Sequence, residues 1–571
     1  MKHLACVRVL ILAIAVFIGA PLEADAAAKV LHRGNGAEPY SLDPHRAIAT
    51  AENNIIGDML VGLYTDDAKG QPALGAAESV ETSTDGLTWT FKIRPHTWSD
   101  GVPVTAEDFV FAIRRLLDPK TAAEYASVLY PIKNAQRVNT GGGKVPLEEI
   151  GVRAADARTL VIELEHPAPF LPELLTHYTT FPIPKHLVAK VGSDWTRPGT
   201  MVANGPYVLA EWRPHDHVKL VKNPKFYDAA SVKIDAVVFY PTDDDNAALK
   251  RYRAGELDTQ ERWPVNEYKW LMANIPNEAH RATNLTVQYI SFNMSRKPFD
   301  DIRVRRALSE ALDRDVIVKD VFQGVYGQVA DNFIPPGTAN VDRSAKMPWA
   351  GMTMDERRAE AKSLLAQAGF TEQRPLKFTY RYISMPDPKR AAVAMQAMWQ
   401  QIGVQVELVA TEAKVHWNLL QVRDFEVAQN AWVFDYNDAK NLFFQFQAAA
   451  VQMNNSVYSS PVFEKFLSDA DVENDGAARA KLLGEAHARL LADLPAVPNF
   501  FPYTRHLVKP YVLNWVDNAR DVNRTRWLDI GPGQGVATAE AAGSDAKSEG
   551  GFWTWLGSWF SAEAWSKWWN S

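Results

Sequence analysis

Trp98-Ser99-Asp100-Gly101-Val102-Pro103-Val104-Thr105-Ala106-Glu107-Asp108-Phe109 converts a strand into a helix. Before it, Leu87 to Arg94 alternates apolar and polar residues, the period of a half-buried strand. Asp100-Gly101 supplies a turn. Thr105 is a helix N-cap, and Asp108, three residues on, is a shorter version of the capping-box acid. Phe109, Ile113, Leu116 and Leu117 line one helix face, and Asp118-Pro119 ends the helix. Upstream, Val30 to Arg33 is a first strand. The Gly34 to Pro44 segment after it carries prolines and glycines, so it is an extended loop. Its Gly34-x-Gly36 is weak as a phosphate signal, because no Gly-Lys-Ser/Thr follows.

Downstream, Leu285 to Phe292 is a strand, and Thr353 with Glu356 forms a full capping box. That helix runs to Ala368, with Gly369 as its stop. Leu376 to Tyr382, a helix through Trp399 and Val404 to Val409 make a β-α-β pattern, which favours a partly parallel sheet. Ala431-Trp432-Val433-Phe434-Asp435-Tyr436-Asn437-Asp438 is a short buried strand delivering one carboxylate into an aromatic setting. An acid flanked by Trp432, Phe434 and Tyr436 is costly unless a cation pairs with it. Either a ligand supplies that cation, or Asp435 caps the next turn.

The chain has 571 residues, enough for about three or four domain-sized units. Its net charge of -7 argues against a general nucleic-acid binder. Lys2 and Arg8, the apolar run Val9 to Ala20, and Ala24-Asp25-Ala26 form a secretory signal, with cleavage expected near Ala26. The run is too short to span a bilayer. The single cysteine, Cys6, lies in the removed segment, so the exported chain relies on its core rather than on disulfides.

Taken in order, Leu117-Asp118-Pro119, Tyr125-Ala126-Ser127, Asn204-Gly205-Pro206-Tyr207, Asp301 to Leu308 and the Asp435 segment resemble the family 5 extracellular solute-binding proteins. This is the peptide/nickel class of ABC-transporter receptors, and the likeness runs from Ser41 to about Arg526. The resemblance implies an α/β fold of two lobes joined by crossing strands. Lobe one would be discontinuous (27–58, 186–284 and 505–532), with 59–185 an inserted domain and 285–504 lobe two. Leu285 to Phe292 and Leu507 to Val512 would be the crossings. It also implies a ligand held as an extended strand between the lobes, then delivered to an inner-membrane permease.

Carried onto this chain, Ala431, Trp432 and Val433 would lie on the pairing strand, and the Gly36 to Tyr40 loop would face it from the other lobe. Asp435 would pair with the ligand's amino terminus, a charge-assisted bond of about 1.5–3 kcal/mol. Glu38 would contact the ligand backbone, or is a solvated loop acid. Trp432 and Tyr125 would wall the cleft, or are core aromatics. Tyr436 and Asn437 would shape the turn that aims Asp435. Where relatives clamp the carboxyl end with basic groups, this chain has neutral Gln429; Lys389 would substitute near a position where relatives carry histidine. Weaker fixation of the carboxyl end follows.

No cofactor, metal site or catalytic residue is expected. A secreted hydrolase is the rival class, but the mature chain has no Gly-x-Ser-x-Gly elbow, His-Glu-x-x-His or cysteine nucleophile. Asp243-Asp244-Asp245 reads as a helix cap before it reads as a cation site, and His215-x-His217 as an exposed pair before a metal site. Within the binding class, a cell-wall peptide, glutathione, haem or a nickel complex are alternative ligands. Gly531 to Gly551 reads as a linker, with 533–551 its assigned span. In 552–571, Trp553, Trp555, Trp559, Trp565, Trp568 and Trp569 would rest on a membrane surface, a partner, or the protein itself.

Overall fold

The computed structural model describes residues 28–532 apart from Ile48, Asp435, Val451 and Gln452. The signal segment, the linker, the Trp-rich tail and the Asp435 carboxylate all lie outside the described residues.

Twelve strands form one mixed sheet through the molecule. Its joint is a single 13-residue strand, Ala496–Val508. The first half of that strand pairs with Thr286–Phe292 and Gly327–Val329. The second half pairs with Ala279–Thr283 and Thr259–Gln260. From Thr259–Gln260 the sheet continues through Val30–Gly34, Ala236–Tyr240, His217–Lys222 and Tyr207–Arg213. From Thr286–Phe292 it continues through Val427–Val433, Lys377–Ile383 and Gln405–Thr411. Each half buries its own core. Leu31, Phe91, Phe109 and Trp195 belong to one, and Tyr289, Phe378, Trp399 and Leu490 to the other. A smaller cluster around Tyr252, Trp263 and Leu271 also includes Leu507 of the joint strand. The result is a two-lobed α/β architecture.

Local sequence accounts for most element boundaries. Helix Ala106–Leu117 starts after Thr105, whose N–H and hydroxyl donate to the Asp108 carboxylate at 2.9 and 3.1 Å. Met354–Gln367 starts at the Thr353–Glu356 box (2.8 Å), and Gly369 follows with φ +88°, a left-handed stop that suits glycine. Lys377–Ile383 and Gln405–Thr411 run parallel with helix Pro386–Gln400 between them. Asp244 caps helix Asp245–Arg253 by accepting from the Ala247 N–H at 2.7 Å.

The return crossing differs from expectation. It begins at Ala496 and stops at Val508, short of Pro510, which has no N–H to continue the ladder; Val512–Leu513 pairs separately with Asp529–Ile530. Pro498 and Pro502 hide the strand's first half in the sequence, since prolines argue against a central strand. The ladder register shifts beside Pro498, between Gln288 and Tyr289.

The turn after Val433 is fixed by a buried ion pair. Arg479, from helix Gly476–Asp493, donates to both oxygens of Asp438 at 2.7 and 3.1 Å; the two side chains are 2% and 0% exposed. The Arg479 guanidinium also lies over the Phe170 ring at 5.6 Å, and Phe170 stacks on Tyr436 at 4.9 Å. Arg479→Ala strands the Asp438 charge in the core and is expected to cost about 3–5 kcal/mol in urea unfolding. Arg479→Met combined with Asp438→Leu is expected to cost far less, because no charge is left unpaired.

Candidate functional site

Val427–Val433 pairs antiparallel with Thr286–Phe292 along its length. Antiparallel pairing turns alternate residues toward opposite edges. The Phe434 N–H donates to Leu285 O at 2.9 Å and the Asn293 N–H to Glu426 O at 3.0 Å. This phase turns Ala428, Asn430 and Trp432 toward the partner strand, and Gln429, Ala431 and Val433 toward the other edge. On that other edge, Lys377–Ile383 pairs only with Val427 and Ala428. The Gln429 carbonyl accepts from His416 Nε2 at 2.9 Å, and the Ala431 N–H donates to Asn430 Oδ1 at 2.8 Å. Burial pulls the His416 imidazole down to about 4, so it makes that bond uncharged. Among the described residues, the Ala431 carbonyl and both backbone groups of Val433 have no partner on this edge. Val433 is 65% exposed.

The other expected site residues are distributed over both lobes. Trp432 donates from Nε1 to Asn441 Oδ1 at 2.8 Å and meets Phe444 edge-on. Asn437 is buried; it accepts from the Ala339 N–H at 2.9 Å and donates to Gly337 O at 3.2 Å, pinning the turn in which Tyr436 stacks on Phe170. Glu38 lies on the other lobe. Its two oxygens accept from Trp212 Nε1 at 3.2 Å and the His215 N–H at 3.1 Å, so its carboxylate ties the loop to the hairpin beneath it. Tyr125 packs beside His177 and Tyr178. Gln429 Oε1 accepts from the Ile383 N–H at 3.1 Å, and its side chain lines a small cavity with Tyr326, Tyr380, Asp387, Pro388 and Met395. Lys389 is exposed in the first turn of helix Pro386–Gln400, whereas its neighbours Asp387 and Pro388 line that cavity.

Sequence reasoning missed the charges at the joint strand. His506 Nε2 lies 2.6 Å from Asp521 Oδ1, and Glu261 and Asp517 add negative potential. Burial alone would lower the His506 pKa, but these carboxylates raise it to about 9. Beside it on the same strand stands Arg505, between the rings of Trp263 and Tyr326. None of these residues belongs to a motif; only the pairing of distant segments brings them together. Among the described residues, no group of three His, Cys, Asp or Glu side chains is arranged to hold a metal ion. No described helix is long and apolar enough to cross a membrane.

The chain's residues 71–454 match the family described as bacterial extracellular solute-binding proteins, family 5 Middle. The Escherichia coli periplasmic oligopeptide-binding protein OppA is 36% identical over 487 residues, covering 85% of this chain and 89% of that protein. The Escherichia coli periplasmic murein peptide-binding protein MppA is 35% identical over 499 residues, covering 86% of this chain and 91% of its own. The unliganded open form of MppA superposes with a TM-score of 0.79 at 33% identity, covering 88% of this chain and 98% of that one. Haemophilus influenzae OppA in complex with RPPGFSPFR superposes with a TM-score of 0.71 at 32% identity, covering 88% and 99%.

Because the folded pKa of His506 lies above its unfolded value near 6.5, its pairing contributes fully below pH 6.5 and is lost as pH rises through about 9. Wild-type stability in urea is therefore expected to fall more steeply between pH 6.5 and 9 than that of His506→Gln. Parallel curves for the two proteins would contradict the assignment.

Proposed function

Since this chain belongs to the bacterial extracellular solute-binding proteins of family 5, we propose that it captures oligopeptides as extended strands between its lobes. The observation that carries this reading is the half-paired strand. Ala431 and Val433 offer unused backbone groups at regular spacing, and any peptide can pair with them whatever its side chains. Asp435 follows that edge by two residues and receives the peptide's amino terminus; a carboxylate there sets the register of the strand. Trp432, Tyr436 and Asn437 hold the turn in place. Glu38 and Tyr125 belong to the opposing wall, where Glu38 acts by positioning its loop. Gln429 and Lys389 flank the downstream end.

In this reading the first lobe comprises 27–58, 186–284 and 505–532, with 59–185 inserted, and the second lobe comprises 285–504. Separate cores on either side of the joint strand support the division into two lobes, and residues of 59–185 such as Phe91 and Phe109 share the first lobe's core. Closure bends the joint, and bound peptide favours the closed state because it contacts both lobes. The protein is exported to the periplasm after cleavage near Ala26, binds without catalysis, and hands its cargo to an ABC permease in the inner membrane. Periplasmic relatives such as Escherichia coli OppA support that location. The Trp-rich segment 552–571 gives the receptor a second contact, with the membrane surface or a partner.

Mass spectrometry of the ligand that co-purifies with the exported protein tests this directly. A ladder of short peptides is expected in wild type, with loss of most of it in Asp435→Ala. Peptides retained equally by the variant would remove Asp435 from its role, and a non-peptide ligand would overturn the function.

A further inference from the structure

Strand Ala496–Val508 carries Arg505 at the level where it pairs with Arg281 of the first lobe. The Arg505 guanidinium carbon lies 5.6 Å from the ring centre of Trp263 and 5.6 Å from that of Tyr326. Trp263 belongs to the small cluster on the first-lobe side, and Tyr326 packs against the second core. Tyr326 also lines the cavity that Gln429 and Asp387 edge. One cation is therefore flanked by a ring from each side of the joint.

Two ion pairs lie in this neighbourhood. Arg262 pairs with Asp245 at 3.3 Å, and Arg390 pairs with Asp387. Among the described residues, the Arg505 side chain has no carboxylate partner and no hydrogen-bond acceptor. Burial pushes Arg505 below the usual guanidinium range, while the Tyr326 phenol and the Asp245 and Asp387 carboxylates act in the opposite direction. Rings attract a guanidinium by its charge, but they accept none of its five N–H bonds. A planar fork without an acceptor matches a carboxylate, which takes two parallel bonds from it.

We infer that Arg505 takes a carboxylate of the bound peptide, supplying from the joint strand the cation that Gln429 does not provide. The inference rests on the peptide reading above. It replaces the expectation of a weakly held carboxyl end with a specific anchor, and it couples ligand charge to the joint about which the lobes move. The carboxylate is the peptide's own carboxyl terminus or an acidic side chain near it.

Isothermal titration of wild type, Arg505→Ala and Arg505→Lys with tri-alanine, tri-alanine amide and Ala-Glu-Ala amide decides the matter. Wild type is expected to bind tri-alanine roughly tenfold or more tightly than its amide, the scale of a charge-assisted bond. Arg505→Ala is expected to bind the two alike, with Arg505→Lys between, since an ammonium lacks the fork. Tight binding of Ala-Glu-Ala amide that Arg505→Ala abolishes also supports the inference and places a side-chain carboxylate there. The comparison of ligands within wild type needs no variant to fold. Equal binding of all three peptides by wild type, or a preference for carboxylate that survives in Arg505→Ala, overturns the role of Arg505 and leaves the peptide reading standing. Failure of wild type to bind any of the three overturns the peptide reading and this inference with it.

Discussion

Every backbone N–H and C=O in a folded chain needs a partner, and beyond Ala428 strand Val427–Val433 has a neighbouring strand on one edge only. Thr286–Phe292 fills one side completely. On the other side, His416 and Asn430 use the Gln429 carbonyl and the Ala431 N–H, while the Ala431 carbonyl and Val433 remain without partners among the described residues. Such an edge is a template for another extended chain, and proteins ordinarily blunt or cover it. Here it lies in the second lobe of a two-lobed molecule, separated from the joint strand by Thr286–Phe292. The proposed function uses that edge to pair with ligand rather than leaving it as a hazard.

The turn that follows the edge is held by several independent contacts. Asp438 and Arg479 anchor the turn that follows the edge, and Asn437 stitches the same turn to the 337–339 segment. Tyr436 then reaches Phe170 on the first core. The ion pair adds little net stability over an apolar equivalent, since desolvating two charges offsets most of their attraction. What it supplies is position. The joint strand is the opposite case: one continuous ladder serves both halves. His506, Glu261, Asp517 and Asp521 cluster charged groups at that same place.

Elements set by local chemistry were legible in the sequence. Thr105 with Asp108, Thr353 with Glu356, Asp244 and Gly369 each mark a helix end that the structure reproduces, because a cap depends on residues within one turn. The β-α-β unit from Lys377 to Thr411 was legible for the same reason. The joint strand was only half visible: its prolines read as breakers, and pairing with four different strands is a property of the fold. The expected buried strand over Ala431–Asp438 is instead Val427–Val433, which ends in an exposed Val433 before a turn, and its free edge was not legible because that depends on how far Lys377–Ile383 extends beside it. Glu38 shows the limit for site residues, as its engagement by Trp212 and His215 spans more than 170 positions. Arg505 offered no signal at all before Trp263 and Tyr326 were brought to it.

Hydrogen exchange across residues 427–434, with and without saturating tri-alanine, tests the central claim most directly. If an extended peptide pairs with the free edge, exchange in this segment slows on binding, and the Val433 amide accounts for most of the change. Saturating peptide that leaves the segment's exchange unaltered, while protecting amides elsewhere, would contradict the account.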